Sequence, residues 1–367
     1  MGSGVDTQLS RVHLSDDEAY LQATELVSLS VPTMLLKVAF ELDLLEIIRK
    51  AGPEGTMSAA EIASHLPTTN PDAPVMLDKV LSVLVTYSVV SCCLETLADG
   101  KVRRRYGLGP VSKYLVKDKD GVSLAAIDLF VQSKIVMEIW YSMKDAILEG
   151  GHPWKKAHKE HMFELYSKDP EADRIFNKAM HDNTKIVVTK LLENYRGFDK
   201  ISSLVDVGGG LGSSLNMIIS KYPHIKGINF DQPHVIANAP AYPGKNIEHV
   251  GGDMFESIPK ADAMYMKGIF HDWSDEHSLK LLKKCHEALP ENGKVIVLEC
   301  LRSQVPEDNL ESRAVFMFDA MMMTHTVGGK ERTHQEWQEL AKKAGFQGVQ
   351  VACPVYCFRA IEILKTC

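Results

Sequence analysis

The spacing of apolar residues divides the chain into a helical first part and a second part in which strands and helices alternate. In the first part, Ser15 and Ser58 each begin a capping box that opens a segment with apolar residues at helical spacing. Residues 77–90 predict a further helix, and residues 101–106 predict a short β-hairpin arm. Helices followed by a basic hairpin are typical of a winged helix, which serves either in DNA binding or in dimerisation.

Residues 120–195 predict more helix, with methionine and aromatic residues recurring at helical spacing. Such a stripe is more often hydrophobic core than the wall of a ligand pocket, and the pattern alone leaves both interpretations open. Its members are Phe130, Met137, Trp140, Tyr141, Met143, Met162, Phe163, Phe176 and Met180.

After Ile201 short apolar runs alternate with helical segments; the runs are SLVDV, IKGINF, IEHV, ADAMYM and GKVIVLE. Strands that alternate with helices predict a parallel sheet covered on both faces. The tail departs from this pattern, because GVQVACPV and CFRAIEIL are adjacent and predict an antiparallel hairpin. The predicted fold class is α/β: a Rossmann-like domain with a terminal hairpin over residues 121–367, after a mainly α, winged-helix-like domain over residues 1–120.

Composition narrows the classes of function. The 367 residues are 45% hydrophobic and 24% charged, which is typical of a soluble globular protein. The net charge of −7 argues against binding to nucleic-acid phosphates or anionic membranes, so the basic arm is interpreted as part of a dimerisation module. Seven cysteines without paired CxxC motifs indicate reduced thiols and no zinc site. With no signal-peptide pattern and no long apolar run, the sequence predicts a cytoplasmic protein.

The strongest motif is VDVGGGLGS, which follows a predicted strand and opens a helix. This is where an α/β sheet binds a nucleotide-like ligand, and glycine lets the backbone approach it. A nicotinamide-binding loop needs glycine at position 213, where this chain has Ser213. The spacing of Asp206, Gly208, Gly210 and Gly212 instead resembles the S-adenosylmethionine loop.

Two acidic residues at later strand ends extend this prediction. Asp231 ends the next strand, where a carboxylate can accept both ribose hydroxyls, although nicotinamide enzymes share that feature. Asp253 and Met254 end the strand after it and suit the amino group and ring of adenine. The alternative for Asp253 is a helix N-cap.

The segment MKGIFHDWSDE places His271 just past the end of the fourth strand, on the ligand-binding edge of the sheet. Imidazole has a pKa near 6.5 and phenol near 10, so histidine is a base available at neutral pH. A general base at a phenolic hydroxyl raises the rate by roughly 10² to 10⁴. The sulfonium donor is already activated, so the reaction needs no metal. The alternative is that His271 and Asp272 cap the helix that begins at Ser274.

Two carboxylates are predicted to support this base. Glu299 ends the fifth strand and is expected on the same edge as His271. Glu331 precedes a helix capped by Thr333. A carboxylate that accepts a hydrogen bond from imidazole fixes its tautomer and raises its pKa. The alternative for Glu331 is an acid that complements the helix dipole.

Taken together, LVDVGGGLG, GDMF, KGIFHDWSDE and GGKERT resemble the plant small-molecule O-methyltransferases of the caffeate and isoflavone type, over nearly the whole chain. The resemblance implies a homodimer built through the N-terminal domain, substrate-binding helices beside the methyltransferase domain, and a metal-independent reaction that releases S-adenosylhomocysteine. It implies His271 as catalytic base, flanked by Glu299 and Glu331. The implied cofactor contacts are Gly208, Gly210, Asp231, Gln232, Asp253, Met254 and Lys267, with Gln232 replacing a common leucine.

The implied substrate wall departs from the caffeate-type pattern. Thr326 stands where asparagine is typical, and Asn183 where histidine is frequent. Phe130 and Val131 replace a Met-Asn pair. These changes predict a pocket tuned to another phenol, such as a polyphenol, a lignan or an alkaloid phenol. The remaining implied wall residues are Met180, Asp272, Met322 and Met323, of which the methionines offer adaptable apolar contacts.

Three other functions stay open. An N-methyltransferase on the same scaffold is the nearest, but an amine can lose its proton to water and needs no base such as His271. A nicotinamide-dependent reductase shares the glycine loop and Asp231, but it does not predict Ser213 or GGKERT. A dimer that senses S-adenosylmethionine and binds DNA would use the basic arm, but it leaves Glu299 and Glu331 without a role.

Overall fold

A computed structural model describes residues 13–160, 165–166 and 168–366 of the chain. Its internal contacts separate two units, Met1–Asp120 and Gly121–Cys367. Most of the N-terminal segment in which no signal peptide is predicted lies outside the described residues, as do Met162 and Phe163 of the methionine and aromatic stripe.

The first unit is a set of helices closed by a small antiparallel sheet in the order β1–β3–β2. Both capping boxes form as predicted, at Ser15 and Ser58. The helix predicted over 77–90 is shifted: Ser88 has a left-handed backbone (φ 57°), and Val90 begins a strand. The elements are α1 (Asp16–Val27), α2 (Ser30–Glu41), α3 (Leu44–Arg49), β1 (Met57–Ser58), α4 (Ala59–Ala63), α5 (Ala73–Thr86), β2 (Val90–Thr96) and β3 (Val102–Leu108).

The basic arm is strand β3, and its charges are paired within the unit. Arg103 donates to Glu95 at 2.6 Å, and Arg104 donates to Asp78 at 2.6 Å. Arg105 lies 3.0 Å from a Glu61 oxygen. Because each guanidinium already faces a carboxylate, the arm offers little uncompensated charge to a phosphate backbone.

The second unit begins with helices and continues into a large sheet. The helices before the sheet are α6 (Ala125–Val131), α7 (Lys134–Tyr141), α8 (Met143–Glu149), α9 (Pro153–His158) and α10 (Pro170–Asn194). The strands are β4 (Ser203–Val207), β5 (Lys226–Asp231), β6 (Ile247–Gly251), β7 (Ala263–Lys267), β8 (Lys294–Arg302), β9 (Arg332–Thr333), β10 (Gly348–Val355) and β11 (Phe358–Leu364). The helices between them are α11 (Ser213–Lys221), α12 (Pro233–Ile236), α13 (Asp275–Ala288), α14 (Leu310–His325) and α15 (His334–Ala344).

The strand order β10–β11–β8–β7–β4–β5–β6 confirms the predicted parallel sheet with a terminal antiparallel hairpin. Alternate residues of β4 enter different cores: Val205 and Val207 join one cluster, and Leu204 joins the other. The chain leaves β4 towards β5 and β6, then returns to β7 and β8 on the opposite side. This reversal opens a crevice beyond the carboxyl ends of β4 and β7, where such sheets bind ligands.

Among the described residues, no single helix is both long and apolar enough to cross a membrane, although the bent pair α1 and α2 reaches that length and composition together.

Candidate active site

The glycine loop follows β4 and is held by the end of β5. Gly208 adopts φ 70°, a conformation that favours glycine, and its N–H donates to the carbonyl of Phe230 at 2.8 Å. The N–H of Gly210 donates to Asp231 Oδ2 at 2.8 Å. A side chain on Gly209 would begin 2.2 Å from Asn229 Oδ1, so only glycine fits there.

A cavity of ≈ 800 Å³ opens between this loop, the end of β7 and helix α10. Its volume lies in the range of small-molecule sites. Asp206 at its wall is buried, and its Oδ2 has no hydrogen-bond partner among the described residues. Burial raises the pKa of Asp206 to about 7, against the opposing charge of Lys267. The cavity therefore has a buried carboxyl group in its wall with an unused acceptor, which fits a polar group of S-adenosylmethionine.

The predicted cofactor residues divide into two groups. Gly208, Gly210 and Lys267 line the cavity. Asp231 accepts from Gly210 N and Gln232 N, so its carboxylate supports the loop as well as standing at the strand end. Gln232 is exposed.

Asp253 does not begin a helix, so its N-cap alternative is wrong; its Oδ1 instead accepts from Phe255 N at 2.8 Å and closes a turn. Met254 packs against the sheet core. Several wall residues were not predicted, among them Asn177, His181, Thr184, His234, Val235 and Asn238. They lie on α10 and in or just after the short helix α12, and their pattern in the sequence carries no signal for a pocket.

His271 lies on a turn just after β7, as its position in the sequence predicts. Its Nδ1 is 2.9 Å from Glu331 Oε1, and the side chain of Glu331 is fully buried. Its Nε2 points towards Gly268, where an added Cβ would lie 3.2 Å away, and Gly268 lines the cavity. The helix-cap alternative fails for His271, because the hydroxyl of Ser274 caps α13. The imidazole is therefore anchored at one nitrogen and directed to the cavity wall with the other.

Glu299 supports this turn differently from the prediction. It lies within β8 and is buried, and its Oε1 accepts from the backbone N–H groups of Ile269 (3.0 Å) and His271 (3.2 Å). The carboxylate therefore holds the backbone of the turn, whereas Glu331 holds the ring. The sequence placed both on one edge but could not assign which group each contacts.

Arg332 is a further support that sequence reasoning missed. It is buried and donates to the carbonyls of Phe270 and Trp273, each at 2.7 Å, on either side of His271. The N–H of Lys330 donates to the carbonyl of His271 at 3.0 Å. The sequence held one signal for this role: Arg332 stands between Glu331 and the helix cap Thr333. An arginine at such a position is expected to donate to several acceptors nearby if it is buried.

The charges around His271 change its acidity. Burial alone would lower the pKa of His271, but the charge of Asp272, the hydrogen bond to Glu331 and the charges of Glu331 and Glu299 outweigh it and raise this pKa to about 10. Burial raises the pKa of Asp272, and it raises that of Glu299 to about 7. These carboxylates therefore stabilise the imidazolium that forms when the ring takes up a proton, and they make His271 a stronger base than a free imidazole.

The predicted substrate wall is only partly found. Met180 lines the cavity from α10. Phe130 is 5% exposed and packs edge-to-face on Phe176 at 5.3 Å, so it belongs to a hydrophobic core, with Val131 packed against it. Asn183 is half-buried on α10.

The other predicted wall residues lie around the His271 turn. Thr326 ends α14, and its hydroxyl donates to the carbonyl of Met322 at 3.1 Å. A Cβ on Gly329 would meet both the Thr326 hydroxyl (1.9 Å) and the His271 carbonyl (2.6 Å), which places Thr326 beside the turn. Asp272 lies next to the base, with its Oδ1 3.9 Å from His271 Nε2.

Comparison with known families agrees with this geometry. Residues 140–347 match the O-methyltransferase domain, and residues 24–118 match the O-methyltransferase dimerisation domain. Two similar relatives are the caffeic acid 3-O-methyltransferase of Medicago sativa and caffeic acid 3-O-methyltransferase 1 of Populus tremuloides. They are 56% and 55% identical to this chain over 365 residues, with all of both chains covered.

Solved structures show the same fold at lower identity. Human N-acetylserotonin methyltransferase, in complex with S-adenosylmethionine, aligns with a TM-score of 0.77 at 21% identity, covering 97% of this chain and 100% of that one. A methyltransferase of calicheamicin biosynthesis aligns with a TM-score of 0.79 at 22% identity, covering 96% of this chain and 100% of that one.

These findings define the class of protein as an O-methyltransferase. The chain belongs to the plant S-adenosylmethionine-dependent small-molecule O-methyltransferase family, which confirms the resemblance carried by its motifs. Among the described residues, no group of three or more histidine, cysteine or acidic side chains is placed to hold a metal ion.

Proposed function

We propose that this protein transfers the methyl group of S-adenosylmethionine to a hydroxyl of a small phenol, with His271 as the group that takes the phenolic proton. One observation carries the proposal: an imidazole anchored by a fully buried carboxylate faces Gly268, on the wall of the cavity that the glycine loop also lines. Gly208, Gly210 and Lys267 would hold the cofactor, and bound S-adenosylmethionine supplies an activated methyl group.

The charges of the site suit a phenolic proton. Phenol has a pKa near 10, and the pKa of His271 is raised to about 10, so proton transfer between them is nearly balanced in energy. Glu331 stabilises the imidazolium that forms, and Glu299 with Arg332 keeps the turn in place. An oxygen close to phenolate can then be held at the cavity wall with its proton on His271 Nε2.

The substrate is proposed as a class. The relatives are named for caffeic acid, so a phenylpropanoid with a free ring hydroxyl is the first candidate. Asn183 and Thr326, which depart from the caffeate-type pattern, favour larger phenols such as polyphenols, lignans or alkaloid phenols. The cytoplasmic location and the independence from metal stay predictions.

We also propose a homodimer formed through the first unit. Helix α1 buries none of its described residues, and its Leu21, Leu26 and Val27 are 65%, 67% and 82% exposed. A helix with an apolar surface of this kind needs a partner to be stable. The match of residues 24–118 to the dimerisation domain supports a second copy of this chain as that partner.

The test compares wild type, His271→Ala and His224→Ala with labelled S-adenosylmethionine and a panel of catechols, flavonoids, lignans, alkaloid phenols and aromatic amines. His224 is exposed and serves as the matched control. We expect transfer to oxygen in wild type and control, and a loss of at least about a hundredfold in His271→Ala with S-adenosylhomocysteine binding intact. Transfer to an amine that survives the substitution would favour the N-methyltransferase alternative and reject His271 as base.

A further inference from the structure

A short chain of hydrogen-bonded side chains contacts the glycine loop at Gly210. Asn229 is fully buried on β5, and its Nδ2 donates to the carbonyl of Gly210 at 2.9 Å. The same Nδ2 lies 3.1 Å from His249 Nδ1, and His249 Nε2 lies 3.0 Å from the carbonyl of Pro240. Hydrogen bonds therefore run without a break from the exposed Pro240 to the loop.

The direction of each bond follows from the groups involved. A carbonyl only accepts, so Gly210 fixes which end of the Asn229 amide faces the loop, and Pro240 fixes the hydrogen of His249 on Nε2. A neutral imidazole with its hydrogen on Nε2 has an acceptor at Nδ1. Both hydrogens of the Asn229 amide are then engaged. Turning the Asn229 amide over would set its oxygen against the Gly210 carbonyl, and moving the His249 hydrogen to Nδ1 would set it against an Asn229 donor.

These contacts complete the support of the loop at one residue. Gly210 has φ 58°, and its N–H is held by Asp231 while its carbonyl is held by Asn229. The Asn229 oxygen also occupies the space beside Gly209 that a side chain would need. Without the amide, the Gly210 carbonyl would lose its partner, and the loop could leave the conformation that shapes the cavity.

We propose that Asn229 and His249 are positioning residues for the cofactor: His249 orients the Asn229 amide, and this amide holds Gly210 in the conformation that receives S-adenosylmethionine. The inference rests on the proposed use of this cavity for that cofactor. It does not require either side chain to touch the ligand.

Two substitutions of His249 test the contacts of its two ring nitrogens one at a time. In His249→Asn the amide oxygen can take the place of Nδ1, so the contact with Asn229 is kept and the contact with Pro240 is lost. In His249→Gln the amide nitrogen can take the place of Nε2, so the contact with Pro240 is kept and the contact with Asn229 is lost. His224→Gln, at an exposed histidine, is the control.

Two readouts are measured on the full-length protein: S-adenosylhomocysteine affinity by calorimetry, and hydrogen–deuterium exchange over residues 208–212 without ligand. We expect His249→Asn to stay within about twofold of wild type in affinity. We expect His249→Gln to bind about fivefold more weakly and to exchange faster in this segment.

Asn229→Leu, which removes both donors, is expected to weaken binding further than His249→Gln, with kcat changed less than the KM for the cofactor. Equal losses in both His249 variants, or wild-type behaviour of His249→Gln, would overturn the proposal. A wild-type protein that does not bind S-adenosylhomocysteine would instead reject the proposed function, so the two failures are distinct.

Discussion

Replacing Glu331 with glutamine removes one negative charge from the His271 imidazole and keeps the shape of the side chain. In the native protein the carboxylate is fully buried, with Oε1 2.9 Å from Nδ1. A hydrogen bond to an ionised partner contributes about 1.5–3 kcal/mol, and one between neutral groups about 1 kcal/mol. We therefore expect the imidazolium to lose about 1–2 kcal/mol, which lowers the pKa of His271 by roughly one unit.

This change predicts a rate loss that depends on pH. At alkaline pH the imidazole is neutral in both proteins, and a base weakened by about 1–2 kcal/mol is expected to lower kcat about 5–30-fold. Towards pH 7 the difference shrinks, because the lower pKa leaves more of the His271 imidazole unprotonated in the variant. The ascending limb of the pH–rate profile moves to lower pH by roughly one unit.

The free energy of unfolding should also depend on pH through the pKa of His271. The folded pKa of His271, about 10, lies above its ordinary value of 6.5, so its contribution is complete below 6.5 and is lost as the pH rises through 10. The free energy of unfolding of Glu331→Gln is therefore expected to be about 1–2 kcal/mol lower at pH 6, with the difference vanishing at alkaline pH.

The assay is the initial rate at saturating S-adenosylmethionine across this pH range, together with denaturant unfolding at both ends. Glu339→Gln, at an exposed position of α15, is the matched control and should resemble wild type. A loss in Glu331→Gln that is uniform across pH would indicate a structural defect. An unchanged profile would show that the charge of Glu331 does not act on His271. Either result refutes the reasoning.

Three further predictions concern the rest of the machinery. Gly268→Ala, which adds a Cβ 3.2 Å from His271 Nε2 at a residue with φ 61°, is expected to lower kcat at least about tenfold in initial-rate assays at saturating S-adenosylmethionine; an unchanged kcat would show that Nε2 is not the working nitrogen. Arg332→Lys cannot serve the carbonyls of both Phe270 and Trp273, so the free energy of unfolding should fall by about 1–3 kcal/mol in denaturant titrations. Leu26→Asp on α1 should shift the protein from dimer to monomer in sedimentation, whereas a dimeric variant would locate the interface elsewhere.

The sequence predicted best what depends on neighbouring residues. The capping boxes at Ser15, Ser58 and Thr333 form where they were expected, because each needs only the next turn of its own helix. The strand at 203–207 and the terminal hairpin were found because apolar runs of strand length stand between turn residues. The placement of His271 at the crevice followed from the alternation of strands and helices.

What the sequence did not predict depends on distant contacts. Phe130 was expected at the substrate wall, but it packs on Phe176 of α10, beyond the helices α7, α8 and α9. Glu299 was expected to support His271, and its carboxylate accepts hydrogen bonds from the backbone N–H groups of the turn and not from the ring. The raised pKa of His271 arises from three carboxylates on separate segments, and no local pattern reports how their charges add.

Thr326, proposed at the substrate wall, and Glu331, which anchors the proposed base, belong to one segment. Thr326, at a position that departs from the caffeate-type pattern, lies only a few residues before Glu331. Glu331 is held independently of Thr326, because its N–H donates to Asp319 at 2.8 Å and the next residue, Arg332, donates to two carbonyls of the turn around His271. Substitution at 326 is therefore expected to leave the carboxylate behind the imidazole in place. We expect Thr326→Asn to alter relative kcat/KM among phenols and to leave the alkaline pH profile unchanged; a shifted profile would show that the wall and the base are not independent.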